Sequence, residues 1–280
     1  MLLGICKDRC VQLFSRQLSV GPLTIILDIW ASFVSEKETL IPTRQWVDDD
    51  SLDVAALMEI PDDYCNLAIM AFARTINCVA KIRQNADVVD AYDEAESLCG
   101  YLRRWWDLRP KRVRHLIRSP KSADNTFPKT VFTSPTAICG NTFYHCSAIL
   151  LLQILQPRHR PDPLFHYPHG DPVFHAREIG GISMSNYDHA NWVNHLQPLY
   201  ITGQIFAENS AFPLGHKEKL DEQRPLRRSA GQGLIVTEEG SLKYAEEKFT
   251  LLKHLQVIQS ETGWKTDERA KELRHLWGLQ

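Results

Sequence analysis

SPTAICGNTFYHCSAILLLQILQ, residues 134–156, is the stretch from which the fold can be read. Ser134 suits an N-cap and Pro135 the first helical position, where a missing N–H has no intrahelical partner to lose. From Thr136 to Gln156 apolar side chains fall on nearly every face, which predicts a buried helix rather than a surface amphipath. Pro157 ends it.

Helical signals continue on both sides. Between Asp62 and Arg83 the apolar positions Leu67, Met70, Ala71, Ile76 and Val79 predict a long helix, with Asp62 and Asp63 at its positive N-terminal end. A second spans about Val88 to Trp106, acidic at its start and basic at Arg103 and Arg104, and Pro110 closes it off. Five prolines between Pro157 and Pro172 make that segment an extended loop. Helical spacing resumes over Asp171 to Met184 and over Ala190 to Phe206, where Pro198 is expected to kink the helix. Ser241 to Glu261 is predicted helical with Gly263 as its C-terminal cap, and Thr266 is expected to cap a last helix from Asp267 to Trp277, stopped by Gly278.

The first sixty residues read as loosely helical and divergent, with Leu18 to Val34 as core, since Pro22 and Asp28 interrupt it before it could span a bilayer. Residues 61–280 form the main body, interrupted by a polar, Gly- and Pro-containing insertion at about 209–247. Strand signals are nearly absent, so the class is all-α: an irregular multi-helix domain with a long polar insertion.

At 44% hydrophobic and 24% charged the composition excludes wholesale disorder, and a formal charge of −2 gives no global pull toward nucleic acid or an anionic membrane. Lys7, Asp8 and Arg9 precede any apolar run long enough for a signal peptide. Seven cysteines, odd in number and mostly far apart, suit a reducing compartment.

Four constellations could carry chemistry. His159, His166, His169 and His175 fall within seventeen residues beside Asp162 and Asp171, the donor types zinc or non-haem iron needs. Their spacing matches no two-ligand helix pattern and the prolines put most of them on a loop, so solvated loop histidines are the simpler reading and His166, His169 and His175 the metal alternative. Cys139 and Cys146 flank Asn141 and His145, but seven residues is nearly two helical turns and the stretch reads as buried. Arg103 to Arg118 carries seven basic residues and one acidic around Trp105 and Trp106; it reads as a helix end followed by a solvated basic loop, in which Lys111, Arg112 and Arg114 fit a nuclear-import patch. Asn194 to Tyr200 places amides and His195 at the Pro198 kink, where freed backbone groups need partners.

Several stretches together resemble the C-terminal regulatory region of fungal zinc-cluster transcription factors: Pro61 to Tyr64, LRRWWDLRP (102–110), Phe132 to Pro135 with Gly140-Asn141 and Tyr144-His145, HAREIGGISMSN (175–186), LQPLYITGQ (196–204) and ETGWKTDERAKELRHLWG (261–278). The resemblance covers about Pro61 to the C-terminus, apart from the insertion. It implies an all-helical, effector- or partner-responsive domain without catalytic residues, nuclear, acting with the transcription machinery or another transcription factor and away from membranes. The family's binuclear zinc cluster needs six cysteines in C-x-x-C-type spacing, whereas only Cys6 and Cys10 stand in a comparable place, so zinc and direct DNA contact carry over to no residue numbered here and no cofactor is expected in this chain. The positions that do carry over, Trp105, Arg109, Pro110, His175, Arg177, Glu178, Asn194, Gln197, Pro198, Trp264 and Trp277, are expected mostly to hold the fold. The alternatives from other classes are a metal-dependent enzyme on the histidine cluster and an interaction-only scaffold.

Overall fold

A computed structural model describes residues 22–43, 52, 56, 60–123, 125–155, 165, 166, 168–207 and 243–279. In chain order these form α1 (Pro22–Ser35), α2 (Pro61–Gln84), α3 (Val88–Leu108), a 3-10 turn (Lys111–Val113), β1 (Ile117–Ser119), β2 (Lys129–Val131), α4 (Pro135–Leu155), α5 (Pro172–Ser185), α6 (His189–Asn194), α7 (Leu196–Ile205), α8 (Ala245–Thr262) and α9 (Asp267–Leu276). With 73% of the described residues helical and 4% in strands, the class is all-α.

α4 is the central element, packed most extensively on α2 and next on α5. The Ser134 hydroxyl accepts from the Ala137 N–H at 3.2 Å, the cap the sequence predicts, and Ala137 to Leu152 are buried without a break. A Cβ added at Gly140 would lie 2.7 Å from the Cys65 Cβ, so only glycine lets α2 and α4 approach this closely. Three residues on, Phe143 meets Phe72 with ring centroids 5.1 Å apart, both fully buried. By length and apolarity α2 and α4 could each cross a bilayer, yet most of both is buried against protein, as in the core of a helical domain.

α3 is clamped to α2 reciprocally. The Tyr64 hydroxyl donates to the Trp105 carbonyl and the Trp105 indole N–H donates to the Tyr64 carbonyl at 3.0 Å, with the rings stacked. The chain after α3 makes an antiparallel hairpin pairing Ile117 with Val131 and Ser119 with Lys129, strands of three residues that are too short to show a sequence alternation. Asn186, just after α5, locks the hairpin to that helix: its Nδ2 donates to the Thr130 carbonyl at 2.8 Å and its Oδ1 accepts from the Phe132 N–H at 2.9 Å.

Two local expectations are corrected. The helix predicted over Ala190 to Phe206 breaks at His195, between α6 and α7, and not at Pro198. Pro198 falls in the first turn of α7, where its absent N–H would have had no intrahelical acceptor. Thr266 does not cap α9 with its side chain but donates its hydroxyl to the Leu255 carbonyl of α8 at 3.0 Å, while Gly263 ends α8 in the left-handed conformation as expected. The last helix closes on α7 through the Trp277 indole N–H, which donates to the Gly203 carbonyl at 2.9 Å.

The predicted insertion lies mostly outside the described residues, but its proposed end at 247 falls inside α8. Glu247 is buried there and accepts from Arg177 at 2.8 Å and Lys121 at 2.9 Å, tying α8 to α5 and to the hairpin connection. Burial alone would push this carboxyl up, but the hydrogen bonds from Lys121 and Arg177 together hold it below its ordinary value.

Candidate functional site: a polar cavity around Arg109

Pro110 drives the formation of the site. It keeps Arg109 out of the α region, so α3 stops and the Arg109 backbone turns extended at φ −51° and ψ 124°. The side chain folds back: Nε donates to the Trp106 carbonyl at 3.0 Å and the guanidinium lies 3.2 Å from the centre of the Trp106 ring. Nη1 donates to Asn141 Oδ1 at 2.7 Å. Asn141 cannot turn its other face, because its Nδ2 donates to the Val113 and Ala137 carbonyls, both at 2.8 Å. Arg109 is 6% exposed, and among the described residues no carboxylate pairs with it. Burial lowers its pKa to about 10, which leaves it fully cationic at neutral pH.

Beside Arg109 opens a cavity of 240 Å³. α3, the hairpin, α4 and α5 all contribute to its wall, which runs in sequence from Trp106 to Ile182. Arg118 and Glu178 form an ion pair at 2.5 Å in its wall, and the Thr130 hydroxyl donates to the same carboxylate. His145, one turn after Asn141 on α4, and His169 and His115 complete the polar lining, while Phe132, Phe174 and Ile182 supply the apolar part.

A hydrogen-bond chain assigns the tautomers of the buried histidines. His175 Nε2 lies 2.8 Å from the His169 carbonyl, which can only accept, so Nε2 carries the proton and Nδ1 is the acceptor. His145 Nδ1, 2.7 Å from His175 Nδ1, must then be the donor, and His145 Nε2 is left with a lone pair. All three rings are held neutral. Burial, then His175 and His169, push His145 well below the ordinary histidine value; burial takes His175 to about 3 and His169 to about 4. His115 is lowered by burial and by Arg109 and Arg118. With Arg118 balanced by Glu178, the described residues of the wall carry one uncompensated positive charge, that of Arg109.

The sequence candidates divide into those brought to this site and those used elsewhere. Arg109 and Glu178 line the cavity and His175 stands behind it; Trp105 stacks on Tyr64, and Pro110 is buried beside Arg109. Arg177 pairs with Glu247, Gln197 and Pro198 are buried in α7, Asn194 is half-buried, Trp277 is buried on α7 and Trp264 is about half exposed. Lys111, Arg112 and Arg114 are exposed, as a solvated basic loop requires.

The histidines depart from the solvated-loop reading. His175 lies inside α5 fully buried, and His169 is half-buried between this cavity and a second one of 460 Å³ on the far side of Trp106. His166 is exposed at that second cavity, and His159 and Asp162 lie outside the described residues. The five-proline pattern indicates a loop but not that His169 packs against Trp106 of α3 and Tyr144 of α4. Among the described residues no three His, Cys, Asp or Glu side chains are placed to hold a metal. The thiols of Cys139 and Cys146 are buried and unpaired, pushed up by burial, Cys139 to about 12.

Sequence reasoning passed over Phe174 and His115 as site residues and gave Arg118 no role beyond the basic run. One signal was available: Asn141 and His145 are polar residues four apart in a largely apolar helix, a spacing that puts both on one face. Compared with known proteins, the chain matches no family model, no curated protein and no solved structure.

Proposed function

We propose that this chain is a helical regulatory region of a transcription regulator of the fungal zinc-cluster type, acting in the nucleus through a small effector or a protein partner and carrying out no catalysis of its own. The observation that supports this most is convergence. Arg109, Asn141, His145, His175 and Glu178, which carry the family resemblance from three separate stretches of sequence, meet around one cavity walled by four elements. A wall shared by so many elements is where a ligand can alter helix packing, and altered packing is what a regulatory domain passes on. The exposed patch at Lys111, Arg112 and Arg114 is available to an import receptor. The metal-enzyme alternative on His166, His169 and His175 has less support, because both ring nitrogens of His175 are taken by hydrogen bonds and His166 points to a different cavity from the one His145 lines.

Fusion of the whole chain to an unrelated DNA-binding domain, with a reporter downstream of that domain's site, tests the proposal. Reporter output should rise or fall relative to the DNA-binding domain alone, and a tagged chain should accumulate in the nucleus. Output identical to the bare DNA-binding domain, with the fusion present at equal level, would overturn the regulatory reading; nuclear exclusion would favour an interaction scaffold.

A further inference from the structure

We infer that the Arg109 cavity binds a small organic monoanion: a carboxylic acid with a hydroxyl group near the carboxylate and a compact apolar body. The inference rests on reading this cavity as the effector site of the regulatory region.

The anchor is the guanidinium. It has five N–H donors, and among the described residues acceptors are supplied only to Nε and Nη1. A cation 6% exposed and without a carboxylate partner among the described residues bears a desolvation cost that an incoming carboxylate relieves, and the guanidinium fork matches a carboxylate in two parallel hydrogen bonds. Asn141 and the Trp106 ring fix the fork before any ligand arrives, so little ordering is lost on binding.

The second contact is His145 Nε2. Its Nδ1 proton is committed to His175, so Nε2 is a lone-pair acceptor, with no hydrogen-bond partner among the described residues, on a residue that lines the same cavity. A carboxylate cannot donate to it; a hydroxyl can. Phe132, Phe174 and Ile182 leave an apolar wall for the rest of the molecule.

Charge and size set the limits. With Arg118 already balanced by Glu178, one positive charge is free among the described lining residues, and a dianion such as a phosphate would set its second charge against the Glu178 carboxylate. The volume of 240 Å³ falls below the roughly 300 Å³ at which pockets for drug-sized ligands begin, so the ligand is a small metabolite.

Calorimetric titration of the full chain with mandelate, mandelamide, phenylacetate and inorganic phosphate tests each element. Mandelate should bind, and mandelamide, which lacks the charge, about tenfold or more weakly. Phenylacetate, which lacks the hydroxyl, should bind about threefold to tenfold more weakly, and phosphate more weakly than mandelate. Arg109→Gln should abolish mandelate binding; if that variant does not fold, Arg109→Lys, which keeps the charge and loses the fork, should weaken it. Equal binding of mandelate and mandelamide, phosphate as the tightest ligand, or no heat from any probe at millimolar concentration would overturn the inference, and phenylacetate binding as tightly as mandelate would remove the His145 contact. The reporter result is independent of these: a chain that binds mandelate but leaves transcription unchanged keeps the cavity assignment and loses the regulatory role, while one that drives the reporter and ignores every acid does the reverse.

Discussion

Helix α4 has two unlike sides. Toward α2 it presents Gly140 and Phe143, a dry contact in which a backbone and an aromatic ring fit with no polar atom to satisfy. Toward the cavity it presents Asn141 and His145, which hold a buried cation and a line of neutral histidines. The first side gains stability from apolar area and close packing. The second side spends some of that stability, since a cation without a carboxylate and rings kept neutral by burial are tolerated only where a specific arrangement of polar groups is retained.

Acid should have the largest effect, through the buried histidines: those of the polar side, and also His195, 3.2 Å from the Thr142 hydroxyl, and His254, 2.8 Å from the Ser183 hydroxyl. The pKa values of His175 and His195 lie at about 3 in the folded chain, below the ordinary value near 6.5 that they regain on unfolding. Below that value the unfolded state binds more protons, so their contribution is fully present above pH 6.5 and is lost as the pH falls toward 3. At about 1.4 kcal/mol per pH unit for each group, these two withdraw about 5 kcal/mol between pH 6.5 and 4.5. Urea unfolding across that range should show the loss, with His145, His169 and His254 shifting in the same direction. Stability level from pH 7 to 4.5 would show that these rings are not held neutral.

On the dry side, Phe143→Ala should lower stability by about 3–5 kcal/mol, as expected for a fully buried ring whose place is left empty. A smaller loss, about 1–3 kcal/mol, is expected from Gly140→Ala, because the new Cβ meets the Cys65 backbone as well as its side chain and α2 must move away. Both are read from denaturation midpoints. Neither should alter the mandelate affinity of the molecules that remain folded; a parallel loss of affinity would mean that the two sides of α4 are not independent.

The dry side was legible in the sequence and the polar side only partly. The buried helix from Ser134, its cap, the helices before and after it and Gly263 all follow from local periodicity and end signals, which act within one or two turns. The cavity depends on contacts across long separations, Arg109 with Asn141 and Arg118 with Glu178, that no local pattern encodes. Helical spacing places His175 in the helix over Asp171 to Met184, and the Asp171 carboxylate, which accepts from the Val173 N–H, starts α5 there, but that its ring is buried against His145 depends on packing no local pattern encodes. The break at His195 was placed at Pro198 because proline is the stronger local signal, and its harmless position in the first turn of α7 is visible only once the helix start is known.

Arg109→Met, measured in both urea unfolding and the reporter fusion, tests the division of labour on α4 most directly. Methionine fills part of the side-chain volume and removes a buried charge that has no carboxylate partner among the described residues, so the fold should lose no more than about 1–2 kcal/mol. The change in reporter output caused by the chain should disappear. A loss of stability as large as that of Phe143→Ala, or a reporter that responds as before, would show that Arg109 belongs to the core after all and that the cavity is not where this domain is controlled.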